Sequence, residues 1–275
     1  MGTVHGFDKS RYWFIIDCSD KRNEFLFSAL ESEGYAVSLY DPCLTYAVQA
    51  QAEQATAVFL FAPSAVLSVR DVSRIPSCSR VFCTQYSDEV MVAFKERGVM
   101  VFYYFDDELL AMRNAYLTAE GALAHIILKT NRCVKDMRAL ILGGGRVGKS
   151  VAKLLHDVRC HVYAAIRDPK EYAFAAIYSD GVYWMSEMTR HLHEFDVIIN
   201  TIPELILKEE VLEKIKKDCL IVDLASKPGG VDFARAAELG LTAVHELGIP
   251  GKTAPQSAGL AIKDSVFRIL FKNKA

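Results

Sequence analysis

The sequence predicts an α/β protein made of two doubly wound parallel-sheet domains. Short apolar runs of strand length alternate with segments of helical spacing, which is the pattern of parallel sheets covered by helices on both faces. A cluster of glycines at 143–148 stands between one such run and a helical segment. The chain has 275 residues, enough for two domains with a core each. Apolar residues make up 51% and charged residues 24%, as expected of a globular protein.

The first domain is predicted to span 1–117 and to be flavodoxin-like. A helical, Ala/Gln-rich segment is expected between its second and third strands, and no glycine-rich phosphate-binding turn follows its first strand. Helices are predicted at 22–33 and 88–97. The strands are predicted at 12–16, 36–40, 57–61, 81–83 and 99–105.

The second domain is predicted at 118–254, and the chain is expected to enter it through a helical connector at 109–129. Within this connector Thr118 can cap a helix that has Glu120 in its first turn. The final helix, 255–275, is expected to pack back on the first domain. The other helices of the second domain are expected at 209–216 and 233–239, and its strands at 139–142, 160–166, 196–200, 220–225 and 242–245.

The glycines at 143, 145 and 148 have the spacing of a dinucleotide-binding turn between a strand and a helix. In this spacing one glycine makes a tight turn, one lets backbone N–H groups approach a pyrophosphate, and one permits close packing of helix on strand. The helix N-terminus adds a partial positive charge beneath the phosphates. An ordinary glycine-rich turn is the alternative. We predict a Rossmann domain whose turn binds the cofactor through Gly143, Gly145, Arg146, Val147 and Gly148.

The residues after the next strand bear on the choice between NADP and NAD. An NAD-binding domain carries an acid about 20 residues past the glycines, where it accepts hydrogen bonds from the ribose. Ile166 stands at that place, followed by Arg167 and Asp168. A guanidinium here can pair with the 2′-phosphate of NADP and stack on the adenine. We therefore predict NADP; the alternative is NAD, with Asp168 bonding the ribose and Arg167 in solvent.

Two further strand ends carry polar residues at the edge where open α/β sheets bind ligands. Asn200, Thr201 and Pro203 follow one strand, and we predict that they lie beside the nicotinamide half of the cofactor. The alternative there is a simple turn with an asparagine cap. Ser226 and Lys227 follow the next strand. A lysine at that place can bind a substrate carboxylate or polarise a carbonyl, although surface lysines are common.

Two ionisable residues near these strand ends favour structural roles. Asp223 lies within an apolar strand, so we interpret it as a hydrogen-bonded structural acid. His245 precedes Glu246 and could act as an acid or base. A satisfied structural histidine is the interpretation we favour.

Charge and cysteine content exclude several classes of protein. The formal net charge is -2 without a long Lys/Arg run, which argues against nucleic-acid and membrane-surface binding. No segment has the roughly 18 uninterrupted apolar residues of a membrane span. The seven cysteines are scattered without a C-x-x-C pair, and the chain start does not resemble a signal peptide. We expect a cytoplasmic protein with reduced thiols and no metal, and leave a catalytic cysteine open.

Several phrases together resemble one family. They cover roughly residues 114–271 and are similar to the dinucleotide-binding half of the dipicolinate synthase A subunit of endospore-forming bacteria. The phrases are Thr118-Ala-Glu-Gly121, Leu142-Gly-Gly-Gly-Arg-Val-Gly148, Asn200-Thr-Ile-Pro203, Asp223-Leu-Ala-Ser-Lys-Pro-Gly-Gly230, and Gly248-Ile-Pro-Gly-Lys-Thr-Ala-Pro255 followed by Ser257-Ala-Gly259.

The resemblance implies an architecture similar to D-2-hydroxyacid dehydrogenases, with a cleft between a substrate-side first domain and the cofactor domain. It implies oxidation of a hydroxylated tetrahydrodipicolinate to pyridine-2,6-dicarboxylate during sporulation, with NADP(H) or NAD(H). A flavoprotein-like B subunit is the implied partner, and we also expect a homo-oligomer. By the same analogy, the dicarboxylate substrate would be bound or converted by Thr118, Glu120, Ser226, Lys227, Gly251 and Lys252.

Two places depart from the family pattern. Residues 16–22 read Ile-Asp-Cys-Ser-Asp-Lys-Arg in place of a glycine-rich turn, and His245-Glu246 stands where apolar residues are expected. One alternative is therefore a nucleotide-binding protein or redox sensor without chemistry of its own. Another is a 2-hydroxyacid dehydrogenase, which would want an arginine at the Lys227 position. The residue that takes the proton stays open, with Glu120 and His245 as candidates.

Overall fold

The computed structural model describes residues 8–46, 55–84 and 86–271. The chain divides into two compact units. Unit 1 comprises the described residues up to Arg113 and those from Ala254 onward, and unit 2 comprises Asn114–Thr253. The predicted Ala/Gln-rich helical segment falls largely on residues 47–54, outside the described ranges. Within those ranges, no helix is long and apolar enough to cross a membrane.

Unit 1 is built on a five-stranded sheet in which every pair of neighbouring strands is parallel. The strand order is β2-β1-β3-β4-β5, the flavodoxin-like doubly wound order, so the predicted fold class is confirmed. The strands are β1 (Tyr12–Ile16), β2 (Ala36–Leu39), β3 (Thr56–Leu60), β4 (Arg80–Cys83) and β5 (Met100–Tyr103). Within the described ranges, the helices between them are α1 (Lys21–Ser32), α2 (Val69–Val72) and α3 (Asp88–Glu96).

Unit 2 is built on a six-stranded parallel sheet of order β11-β10-β9-β6-β7-β8, the Rossmann order read from its far edge. The strands are β6 (Arg138–Leu142), β7 (His161–Ile166), β8 (Gly181–Trp184), β9 (Val197–Asn200), β10 (Leu220–Asp223) and β11 (Thr242–His245). The helices are α4 (Glu108–Lys129), which contains the unit boundary, α5 (Arg146–Asp157), α6 (Pro169–Tyr178), α7 (Glu209–Leu212), α8 (Phe233–Glu238) and α9 (Ile249–Thr253).

The central strands of unit 2 are buried on both faces because side chains alternate along a strand. In β6, Leu140 and Leu142 join the apolar cluster on one face of the sheet, and Ala139 and Ile141 join the cluster on the other. Strand β8 differs, since its side chains are only partly buried at the sheet edge. Neither β8 nor the helix α6 before it was among the predicted elements, although residues 182–185 form an apolar run.

The connector helix begins earlier than the proposed Thr118 cap. Helix α4 starts at Glu108, where Asp107 Oδ1 accepts a hydrogen bond from Leu109 N at 3.1 Å. Thr118 lies in mid-helix, and its hydroxyl donates to the Asn114 carbonyl one turn back at 2.8 Å. The prediction that Thr118 caps a helix is therefore wrong. The earlier aspartate supplies the cap, because it accepts from a free N–H of the first turn.

The last helix, α10 (Pro255–Phe271), packs on α1 within unit 1. A Cβ built on Gly259 would lie 2.2 Å from the Arg22 carbonyl oxygen, so the two helices approach at backbone distance. Ile262 and Val266 of α10 join the apolar cluster on one face of the unit 1 sheet. The glycine is therefore required at this crossing.

Asp196 is a buried carboxylate at the amino end of β9. Its Oδ1 accepts hydrogen bonds from Lys216 at 2.6 Å and Arg132 at 2.8 Å, and its Oδ2 accepts one from Arg138 N at 2.8 Å. Burial raises the pKa of this carboxyl, but the hydrogen bonds and the two cations outweigh burial, so its pKa lies below the ordinary value. The ionised form is therefore the one that stabilises unit 2.

Asp196→Asn is expected to lower the free energy of unfolding by about 2–4 kcal/mol at neutral pH, because cations and an N–H lose their anionic acceptor. Since the folded-state pKa is lowered, this contribution is present above the unfolded pKa near 4 and is lost as pH falls through the folded pKa. Urea unfolding at pH 7 and pH 3 measures it. Asp218→Asn, at an exposed partner of Arg132, is the control and should change little. A wild-type/Asn difference as large at pH 3 as at pH 7 would contradict this account.

Candidate dinucleotide-binding site

The turn after β6 has the geometry that a phosphate-binding turn requires. Gly143 has φ +99°, a conformation that L side chains rarely adopt. A Cβ on Gly148 would lie 2.1 Å from the Gly143 carbonyl oxygen, so α5 packs against the turn at backbone distance. Helix α5 begins at Arg146, with Gly145 as its N-cap residue. The first and third glycines thus have the turn and packing roles that their spacing predicts.

Gly145 stands in open space. Among the described residues, a Cβ built on it would meet no heavy atom within 4 Å beyond its neighbours in the chain, and its φ of -68° is allowed for any residue. Neither backbone strain nor packing within the chain requires glycine at this position. Glycine is a favourable N-cap residue, and it also lets a ligand come close to the backbone at the start of α5. These residues fit a dinucleotide pyrophosphate.

Arg167 and Asp168, at the end of β7, are engaged in different ways. Asp168 is the N-cap of α6, and its Oδ1 accepts hydrogen bonds from the N–H groups of Lys170 and Glu171 at 2.8 and 3.0 Å. Arg167 forms a two-point ion pair with Glu204 at 3.1 and 3.3 Å. Both side chains of that pair are more than half exposed. The pKa of Arg167 is raised, first by its hydrogen bond to Glu204.

Asn200 is fully buried, and its whole amide is used inside unit 2. Its Nδ2 donates to the Ile202 carbonyl at 2.9 Å and to Asp223 Oδ1 at 2.8 Å, while its Oδ1 accepts from Ile202 N at 3.1 Å. Thr201 Oγ1 donates to the Leu142 carbonyl at 2.8 Å and faces the glycine turn. Pro203 is exposed at the same edge. Asn200 therefore positions its neighbours, and Thr201 lies against the glycine turn.

Asp223 holds in place, through hydrogen bonds, the loop that carries Ser226 and Lys227. It is fully buried, and its Oδ1 accepts from Asn200 Nδ2 and from Ala225 N at 3.0 Å, while its Oδ2 accepts from Gly230 N at 2.7 Å. Ser226 and Lys227 are exposed between these two anchoring points. A structural acid in the sheet thus presents two polar side chains at its carboxyl edge.

His245 and Glu246, which depart from the family pattern, have structural partners. His245 donates from Nε2 to the Ala225 carbonyl at 2.8 Å and stacks on Phe233. Its Nε2 is therefore not free for proton transfer. Glu246 lies 3.5 Å from His125 Nε2 and 3.5 Å from Lys252 Nζ. His125 was missed at the sequence level, because nothing local links a residue of α4 to one that follows β11.

The other predicted substrate residues lie on α4 and α9. A Cβ on Gly121 would lie 2.0 Å from Ile249 Cγ2, so the two helices touch beside Glu120, which is exposed. Gly251 and Lys252 belong to the short helix α9. Since β10 pairs with β11, the chain after each strand emerges at the same edge. Lys227 and Lys252 therefore follow neighbouring strands, whereas the hydroxyl of Thr118 bonds within its own helix.

Four cysteine thiols are poor nucleophiles. Burial raises the pKa of Cys83, Cys160 and Cys219 to about 12. Burial, with the charges of Glu24 and Asp17, raises the pKa of Cys18 to about 11. The thiolate is the reactive form, so these residues are inert near neutral pH.

The turn after β1 in unit 1 is acidic and internally bonded. Asp17 accepts hydrogen bonds from Ser19 N at 3.0 Å and Ala62 N at 3.2 Å. Asp20 caps α1 and pairs with Arg22 at 2.6 Å, and this hydrogen bond lowers the pKa of Asp20. Where a dinucleotide fold has phosphate-binding glycines, unit 1 carries two carboxylates. This turn is unsuited to a phosphate.

Comparisons by sequence and by structure both find the A subunit of dipicolinate synthase among similar proteins. The A subunit of dipicolinate synthase from Bacillus subtilis (strain 168) is 29% identical over 213 residues, covering 76% of this chain and 71% of that protein. The solved structure of the dipicolinate synthase A subunit from Bacillus halodurans superposes with a TM-score of 0.82 at 24% identity, covering 96% of this chain and 99% of that one. The predicted resemblance to the A subunit of dipicolinate synthase is confirmed.

Two broader matches agree with that resemblance. A family model described as shikimate/quinate 5-dehydrogenase matches residues 122–247, within unit 2. D-lactate dehydrogenase from Escherichia coli shares the fold, with a TM-score of 0.64 at 14% identity over 96% of this chain and 97% of that one. The predicted similarity in fold to D-2-hydroxyacid dehydrogenases is thus confirmed. Together the matches support an oxidoreductase that uses a nicotinamide dinucleotide.

Proposed function

We propose that this chain is the dehydrogenase component of a dipicolinate synthase-type enzyme, which oxidises hydroxy-tetrahydrodipicolinate to dipicolinate with NADP⁺. The observation that carries the proposal is the Ser226–Lys227 loop, pinned by buried Asp223 at the carboxyl edge of the sheet that bears the glycine turn. A cation at that edge suits a substrate with two carboxylates. The resemblance to the dipicolinate synthase A subunit supplies the substrate class.

Each residue has a defined part in this proposal. The turn from Gly143 to Gly148 binds the pyrophosphate, and Arg167 binds the 2′-phosphate of NADP. When bound, the cofactor supplies the hydride acceptor. Lys227 holds one substrate carboxylate with Ser226 beside it, and Lys252 follows the neighbouring strand. Loss of a hydride, a proton and a water converts the hydroxylated ring to the aromatic dicarboxylate, with Glu120 as the candidate proton acceptor.

The partners and setting belong to the same proposal. The relative is named as one subunit of its enzyme, which supports a second component that we take to be the flavoprotein-like B subunit. We further propose a cytoplasmic role in sporulation, with NAD as the alternative cofactor. Self-association of the chain stays a prediction.

Lys227→Ala is expected to reduce turnover about a hundredfold, because a charged contact to the reacting substrate is lost. Purified protein is incubated with NADP⁺ and enzymatically generated hydroxy-tetrahydrodipicolinate, and the absorbances of reduced cofactor and dipicolinate are followed. Lys214→Ala, at an exposed lysine of unit 2, is the matched control and should turn over like wild type. If the wild-type protein binds NADPH but shows no turnover, either alone or with a B subunit, the proposed dehydrogenase activity is rejected.

Arg167→Ala is expected to weaken NADPH binding about tenfold or more and to leave NADH binding nearly unchanged, because a charged contact to the 2′-phosphate is lost. Fluorescence titration of both reduced cofactors measures the two dissociation constants. Lys153→Ala, at an exposed lysine of α5, is a control for the loss of one positive charge. An Arg167→Ala protein with unchanged NADPH affinity would remove the assignment of NADP to this arginine.

One alternative is supported by a specific observation. The acidic, internally bonded turn at Asp17 and Asp20 lacks the glycines that the dipicolinate family carries there. This favours an NADP(H)-binding protein or redox sensor without catalysis. A 2-hydroxyacid dehydrogenase is less well supported, since Lys227 stands in place of an arginine and His245 bonds to Ala225.

A further inference from the structure

The ion pair between Arg167 and Glu204 crosses the carboxyl end of β6. Arg167 directly follows β7, and Glu204 follows β9. These two strands flank β6 on opposite sides in the sheet. The guanidinium of Arg167 donates two hydrogen bonds to the carboxylate of Glu204, with N–O distances of 3.1 and 3.3 Å. A bridge between the segments after β7 and β9 must therefore pass across the end of β6, where the glycine turn begins.

Both segments also contact the turn itself. A Cβ on Gly143 would lie 2.7 Å from Thr201 Oγ1 and 2.9 Å from Ile202 Cγ1, in the segment that leads to Glu204. A Cβ on Gly144 would lie 3.0 Å from Ile166 Cδ1, next to Arg167, and 2.9 Å from Glu171 Oε2. The segments that carry Arg167 and Glu204 therefore both lie against the glycine turn. A 2′-phosphate that reaches Arg167 must approach Glu204 as well.

We propose that Glu204 competes with the 2′-phosphate of NADP(H) for Arg167 and so sets the ratio of NADP(H) to NAD(H) affinity. This inference rests on the proposed binding of a dinucleotide at the glycine turn. The pair is more than half exposed on both sides, so it is weak and a phosphate can replace the carboxylate. The exchange still costs NADP(H) affinity, because the displaced carboxylate stays near a phosphate of the same sign. NAD(H) lacks the 2′-phosphate, so its affinity does not increase when the Arg167–Glu204 ion pair opens.

The test compares Glu204→Gln with a matched control by calorimetric titration of NADPH, NADH, 2′,5′-ADP and AMP. Glu204→Gln is expected to bind NADPH and 2′,5′-ADP about five- to tenfold more tightly, with NADH and AMP within about twofold of wild type. The gain should shrink as salt is raised, because exposed charges are screened. The control, Glu209→Gln, removes a similarly exposed carboxylate from its ion pair with Arg235, away from the turn. It should leave the affinities for NADPH and NADH unchanged.

The double variant Arg167→Ala/Glu204→Gln separates competition for the arginine from a general charge effect. Against Arg167→Ala alone, the second substitution should improve NADPH binding by less than half the factor seen with Arg167 present. An equal factor in both backgrounds would overturn the proposal, as would unchanged NADPH affinity or an equal gain for NADH. Failure of every dinucleotide to bind wild type and both single variants would instead reject the proposed function.

Discussion

Gly148→Ala is expected to destabilise unit 2 by about 3 kcal/mol and to abolish dinucleotide binding, because its methyl group would overlap the backbone of the turn. The Cβ would lie 2.1 Å from the Gly143 carbonyl oxygen and 3.1 Å from its carbon. Backbone atoms cannot swing aside as a flexible side chain does, so α5 must move away from β6. Urea unfolding followed by circular dichroism, with NADPH titration of the folded protein, measures both effects.

Gly145→Ala is the matched comparison for that result. Apart from its neighbours in the chain, no described residue has a heavy atom within 4 Å of the Cβ position, and the backbone is in a region that alanine adopts. The free energy of unfolding of Gly145→Ala should therefore stay within about 0.5 kcal/mol of wild type, as for ordinary exposed substitutions. NADPH affinity should nevertheless fall at least about tenfold, because the methyl group occupies the approach of the pyrophosphate. Normal NADPH binding by this variant would show that the pyrophosphate does not bind at the turn.

Asp223→Ala is expected to lower the free energy of unfolding by at least about 3 kcal/mol, since three buried N–H donors lose their acceptor. These donors are Asn200 Nδ2, Ala225 N and Gly230 N. Turnover should fall as well, because the Ser226–Lys227 loop is released at both ends. The measurements are urea unfolding and the NADP⁺ assay.

Asp232→Ala tests whether the effect is specific to the loop anchor. Asp232 caps α8 by accepting from Arg235 N at 3.0 Å, so its loss should cost only about 1 kcal/mol. Turnover of this control should match wild type once both proteins are folded. A similar loss of turnover in both variants would remove the positioning role assigned to Asp223.

Local sequence predicted every described strand except β8, most of the described helices and the glycine turn after β6. Periodicity of apolar residues depends on a few neighbours, and this is why β1, β11 and α10 lie where the patterns predict them. The glycine spacing predicted turn and packing roles that the backbone of Gly143 and Gly148 now displays. Strand β8, at the opposite edge of the sheet from β11, was not predicted, and its side chains are only partly buried or exposed.

Tertiary structure alone decided which polar groups meet. The Arg167–Glu204 pair joins residues 37 positions apart, and the Asn200–Asp223 hydrogen bond joins residues 23 apart. Strand order brings these partners together, and no local pattern encodes it. The predicted cap at Thr118 was wrong for a local reason, since the helix extends back to Glu108 and Asp107 caps it. The sequence by itself thus predicted a glycine turn with the geometry of a dinucleotide-binding turn, whereas the fold decided which side chains lie around it, because parallel strands gather distant residues at one edge.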